Sequence, residues 1–140
     1  MMQECVTLVN ASDDINSTNI SLFVYRVINK NDTECMEMLI MRGLKIPVLT
    51  SWGSPLRYAC KHGKAGIVKL MIESKADINE CKAIYSAYGQ NQPECVKLLI
   101  ESRADVKDVW QWIQNNGPTG ARQTCHDLIK KEANKQKHVT

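Results

Sequence analysis

The sequence predicts an all-α protein built as a helical solenoid, and three observations carry that expectation. The first is self-similarity at a fixed spacing. Residues 65–79 read AGIVKLMIESKADIN and residues 93–107 read PECVKLLIESRADVK, identical at eight of fifteen positions at an offset of 28. The second is that apolar residues in each copy recur at helical rather than strand spacing. The third is that glycine or asparagine stands at matching places between the periodic stretches, where a left-handed residue ends a helix.

Two weaker copies extend the pattern. Residues 34–46, ECMEMLIMRGLKI, precede the second copy by 32 residues, and TCHDLIKK at Thr124–Lys131 is a degenerate fourth. The four registers align Cys35, Ile67, Cys95 and Cys125 at the start of a helix. Cysteine behaves there as a small buried hydrophobe.

Each unit reads as two helices. In the second unit Leu56, Ala59 and Cys60 fall at i, i+3 and i+4, giving the first helix one apolar face. Ser54 followed by Pro55 marks its start, a capping hydroxyl and then proline at the first helical position; Pro93 repeats the device in the third unit. Gly63 supplies the stop, with Asn31 and Asn91 at the matching positions. The second helix is expected to turn Ile67, Val68, Leu70, Met71 and Ile72 inward and Lys69 and Glu73 outward, with Leu70 and Leu98 in the middle of the inward faces. In the last unit Val109, Trp110 and Ile113 suggest a first helix, Gly117-Pro118 breaks it, and residues 121–136 form the second.

Composition bounds the function. At 140 residues the chain is of one-domain size. Its 44% hydrophobic and 24% charged residues suit a folded globular protein. No apolar run is long enough to span a bilayer, and the start lacks the basic flank of a secretory signal. The net charge of +3 and aromatic content of 6% do not point to nucleic acid. Charge is uneven: −2 over residues 1–52 and +5 over residues 53–140, with four lysines between Lys130 and Lys137 suiting a helix C-terminus. The six cysteines form no CxxC pair, so neither a zinc site nor a disulfide framework is expected. The Asn-x-Ser/Thr triplets at Asn10, Asn16, Asn19 and Asn31 read as by-products of an Asn/Ser-rich N-terminus.

The stretch Gly53–Asn79 resembles an ankyrin repeat, whose pattern is G-x-T-P-L-H-x-A-x-x-G-H-x-x-I-V-x-L-L-L-x-x-G-A-D-V-N. Pro55-Leu56, Ala59, Gly63, Ile67-Val68, Leu70 and Ala76-Asp77-Ile78-Asn79 all fall in place. The resemblance implies an array over residues 20–136, in units of about 20–48, 50–79, 80–107 and 108–136. Residues 1–19 would be an N-terminal segment or cap and residues 137–140 a short tail. Ser54 stands where the family has Thr and Arg57 where it has His, so the bonds between units are expected to differ. The offset of 28 falls short of the family's usual length, and the missing residues lie at Asn79–Ala83, so the projecting β-hairpin finger is expected to be reduced. Short-looped arrays of this kind resemble those of large DNA viruses and some protists.

By that resemblance, function lies on the first helix of each unit, lining a concave face. The exposed candidates are Tyr25, Arg26, Asn29 and Lys30 in the first unit, Arg57, Tyr58, Lys61 and His62 in the second, and Tyr85, Ser86 and Gln90 in the third. Tyr and Arg are enriched at interface hot spots. Trp52, where a finger would project, and Trp112, two residues from the more core-like Trp110, are further candidates. Arg57 has a competing reading as a tie to a neighbouring repeat. Catalysis finds no constellation: Cys60 and His62 are two apart and diverge on a helix, and no phosphate loop, HExxH or GxSxG motif occurs. The expectation is a non-catalytic monomer, cytoplasmic or otherwise intracellular, without cofactor, metal, membrane or nucleic-acid partner. It binds a partner protein, with an acidic segment fitting the cations. The alternative is a regulator resembling an inhibitor of kappa-B, sequestering a transcription factor.

Overall fold

A computed structural model describes residues 18–44, 54–75, 83–117 and 122–137, together with residues 3, 6 and 7, and side chains along the first range from residue 22 onward. Trp52, the connection at residues 79–82, residues 138–140 of the tail and most of the N-terminal segment lie outside the described residues. Among the described residues from 18 onward, eight helices follow in order: α1 (Thr18–Asn29), α2 (Thr33–Met41), α3 (Pro55–Lys61), α4 (Ala65–Glu73), α5 (Ala83–Gly89), α6 (Pro93–Glu101), α7 (Lys107–Asn116) and α8 (Gln123–Lys137). Among the described residues there is no strand. The helices pair as α1–α2, α3–α4, α5–α6 and α7–α8. First helices pack as a row, α1 on α3 and α3 on α5, and second helices as a parallel row, α2 on α4, α4 on α6 and α6 on α8. The all-helical solenoid expected from the repeat is the architecture observed.

The turns within the first three pairs share one construction. Asn31, Gly63 and Asn91 have φ of 52°, 70° and 55°. At each turn the left-handed residue donates its N–H to the carbonyl three residues back, and the next residue to the carbonyl five back: Asn31 to Ile28 and Asp32 to Val27, Gly63 to Cys60 and Lys64 to Ala59, Asn91 to Tyr88 and Gln92 to Ala87. This double bond pattern satisfies carbonyls that a helix end otherwise leaves orphaned. The sequence marks these three positions correctly. It does not mark Lys75 and Arg103, which end α4 and α6 with φ of 68° in the same conformation. Gly43, at φ 99°, ends α2 at the equivalent place.

The core is a continuous cluster running through all four helix pairs. The four aligned helix-start residues Cys35, Ile67, Cys95 and Cys125 are all buried, at 1% exposure or less. From the first helices Val24, Val27 and Ile28, Leu56, Ala59 and Cys60, Ala83, Ala87 and Tyr88, then Val109 and Ile113 join them. On the second helices the register differs from expectation by one position. Met71 and Leu99 are fully buried, as is Leu39, whereas Leu70 and Leu98 are only partly buried against the core. The reason is helical geometry: with Ile67 and Val68 fixed inward, Met71 lies three to four residues on, on the same face, and Leu70 falls beside that stripe.

Ser54 also departs from expectation. It occupies the position before α3 with extended backbone, but its hydroxyl makes no capping bond and is buried without a partner. Asp32 does cap α2, accepting from the Cys35 N–H at 3.0 Å. At the far end Gln136 pins the connection between α6 and α7. Its Nε2 donates to the Ala104 carbonyl at 3.0 Å, and its Oε1 accepts from the Val106 N–H at 3.3 Å.

Met71→Ala and Leu99→Ala should each lower the unfolding free energy by about 2–5 kcal/mol. Leu70→Ala and Leu98→Ala should each cost clearly less, a ranking that urea unfolding of the four variants reads directly. Lys75→Gly should raise stability by roughly 0.5 kcal/mol, because the left-handed conformation penalises a side chain by about 1–2 kcal/mol and glycine's own entropy cost returns part of that. A lower melting temperature for Lys75→Gly would contradict it.

Candidate functional site

The first-helix row presents the side chains that core packing does not use. Helix α3 supplies four of them. Pro55, Leu56, Ala59 and Cys60 point into the core, which leaves Arg57 and Lys61 exposed, Tyr58 half-buried and His62 exposed just beyond the helix. Helix α5 repeats the division. Ala83, Ile84, Ala87 and Tyr88 are buried, leaving Tyr85 and Ser86 half-buried and Gln90 exposed after it.

Between α3 and α5 lies a groove of about 550 Å³. Its lining includes Arg57, Tyr58, Lys61, Tyr85, Ser86 and Gln90, so the structure brings together the second- and third-unit candidates other than His62, while Tyr25, Arg26, Asn29, Lys30 and Trp112 are not part of the lining. Ser54 and Gly89 also line it; neither is visible in sequence as a site residue. Among the described residues its lining holds two cations, Arg57 and Lys61, and no carboxylate. Arg57 Nε donates to the Ser86 hydroxyl at 3.0 Å, so Arg57 ties its unit to the next through a side chain. Burial, then the charge of Asp108 on α7, push the Tyr85 phenol above its ordinary value, keeping it a protonated donor.

Beside the groove stands an aromatic wall. Tyr58 packs edge-on to Tyr25 with centroids 4.9 Å apart and against His62 at 4.4 Å. Its hydroxyl donates to Asn29 Oδ1 on α1 at 2.8 Å. Tyr25 is only 3% exposed, so its ring braces Tyr58 and offers no free face. Arg26 is exposed on α1 with its guanidinium 5.7 Å from the Phe23 ring centroid. Trp112 is 45% exposed and meets Tyr88 edge-on at 6.3 Å, but it is not part of the groove lining. Trp110 is half-buried, as its register with Ile113 suggests. It lines a separate groove of about 760 Å³ between α7 and α8, along with Gln111 and Gln136. Size does not rank this groove first, because Gln136 there is already committed to the backbone of residues 104–106.

Cys35, Cys60, Cys95 and Cys125 are all buried free thiols. A hydrogen bond with the Cys60 thiol lowers the Cys95 thiol, against burial and the Glu94 charge, which raise it. Burial raises Cys125 above the ordinary thiol value of 9.0, and its sulfur lies 3.7 Å from Asn91 Oδ1. Cys60 is fully buried while His62 is exposed against Tyr58, so the two do not form a nucleophile–base pair. Among the described residues no cluster of three His, Cys, Asp or Glu side chains converges to hold a metal ion, and no helix is long and apolar enough to cross a membrane.

The family model for ankyrin repeats (3 copies) matches residues 23–109, more than half of the chain. The chain belongs to the ankyrin-repeat family. No individual curated protein matches it. The matched span covers α1 to α6 and reaches the start of α7, so the first-helix row and the groove lie within the ankyrin portion, and α8 beyond it. Ankyrin repeats are generally protein–protein interaction modules and typically non-catalytic.

Because Cys125 is harder to ionise folded than unfolded, its contribution to stability is complete below the unfolded thiol value and is lost as pH rises through the folded one. Thermal melts from pH 8 to pH 11 should therefore fall less steeply for Cys125→Ala than for the parent. An unchanged slope would show that the Cys125 thiol does not contribute.

Proposed function

We propose that this chain is a non-catalytic interaction module that binds one partner protein through the concave face formed by α1, α3 and α5. It works as a monomer in the cytoplasm with its thiols reduced. The observation that carries the reading is the groove between α3 and α5. Its lining combines the exposed side chains Arg57, Lys61 and Gln90 with the half-buried Tyr58 and Tyr85, on helices whose core duties fall to other residues. Rigid aromatic area next to arginine is the composition of an interface hot spot. Two cations without a carboxylate among the described lining residues suit a partner segment of acidic character, and charges of this kind steer association and weaken with salt. Tyr25 and Tyr58 serve as the braced wall of the site, and Arg26 extends its positive edge.

The triple variant Arg57→Ala, Lys61→Glu, Gln90→Ala should keep the parent's melting temperature to within a few degrees. It should also lose capture of the native partner in pull-downs read by mass spectrometry. A control carrying Lys69→Glu and Lys97→Glu, on the outward faces of α4 and α6, should retain capture. The reverse pattern would move the interface to the second-helix face.

A further inference from the structure

We infer that the groove between α3 and α5 recognises a side-chain carboxylate on an acidic peptide segment of the partner, with Arg57 as its bidentate ligand and Ser86 as the residue that positions Arg57. This deepens the concave-face reading and rests on it. A guanidinium presents donors along two usable edges, one of which includes Nε. In this protein Nε is engaged: it donates to Ser86 Oγ on the neighbouring helix at 3.0 Å. The outer edge, made by the two Nη groups, has no partner among the described residues. Fixing one edge orients the other, and a planar fork held in place is matched to a planar carboxylate by two parallel hydrogen bonds. Because the arginine is already ordered, part of the cost of immobilising a flexible side chain on binding is removed in advance.

The rest of the groove agrees. Lys61 lies one turn further along α3 on the same exposed face and adds positive charge. At Gly89 a side-chain carbon would meet nothing within 4 Å, so this part of the wall is open to an approaching backbone. The groove, about 550 Å³, is far larger than a lone carboxylate requires, so the carboxylate arrives on a chain.

The test uses the full chain, a fluorescein-labelled octaglutamate peptide, and octaglutamine as control, read by fluorescence polarisation at low salt. Octaglutamate should bind and octaglutamine should not. Arg57→Lys, which keeps the charge and loses the fork, should weaken binding by about 10-fold or more, as expected for losing a charged hydrogen bond. Ser86→Ala should weaken it several-fold and Ser86→Thr should restore it. In nitrogen–proton spectra the Arg57 Nε–H signal of the parent should shift in Ser86→Ala and return in Ser86→Thr, with melting temperatures alike throughout. Wild-type binding by Arg57→Lys would reduce the site to a point charge and overturn the bidentate assignment. Unchanged binding by Ser86→Ala would overturn the positioning role. Failure of octaglutamate to bind a chain that still captures its native partner through the same face would overturn this inference and leave the concave-face reading standing.

Discussion

The residue in left-handed conformation at each helix end is the constraint on which the rest of the molecule depends. It appears at Asn31, Gly63 and Asn91 inside the pairs and at Gly43, Lys75 and Arg103 at their ends. With only three residues between the helices of each of the first three pairs, the chain must reverse at once, and a left-handed residue is the cheap way to do it while bonding the last carbonyls. Once reversed, each pair buries its inner stripe against the next. At Gly63 a side-chain carbon would collide with Gln92 Oε1. The Gln92 amide also reaches the Lys61 carbonyl, at 3.4 Å, so the turns of neighbouring units are fitted to one another.

Core packing leaves one face of the first helices to other side chains. Small residues such as Ala59, Cys60, Ala83 and Ala87 stand at core positions of α3 and α5, beside larger ones such as Leu56 and Tyr88, and Leu39, Met71 and Leu99 fill the core from the second helices. The outward positions of α3 and α5 are then unconstrained by the core and can hold Arg57, Lys61 and Gln90. Lateral ties between units use the same surface: Tyr58 to Asn29 and Arg57 to Ser86. Residues that line the groove therefore also tie neighbouring units together.

The last pair is built differently. Helix α7 packs chiefly against α8, while α8 continues the second-helix row on α6. Gln136 then secures the chain between α6 and α7 where an ordinary unit would rely on repeated packing. Exposed lysines along α8 suit the end of an array, where the outer surface meets water.

The sequence by itself determined the helical class, the repeat, the four aligned helix-start positions and three of the left-handed turns. Each of these is a local or periodic property: apolar spacing, or a residue type that tolerates positive φ. It also marked Arg57, Lys61 and Gln90 as exposed, because positions outside the core stay legible when the buried stripe is known. It placed Leu70 and Leu98 deeper than they lie, since adjacent apolar residues differ in burial only through the angle at which two helices meet. It did not mark Lys75 or Arg103 as left-handed, since nothing in a lysine or arginine signals that conformation. Tyr25 and Tyr58 look equivalent in sequence, yet stacking buries one and leaves the other half-open. The Arg57–Ser86 bond spans 29 residues, and only the tertiary structure decides which hydroxyl meets which guanidinium, because that depends on how far one helix slides along its neighbour.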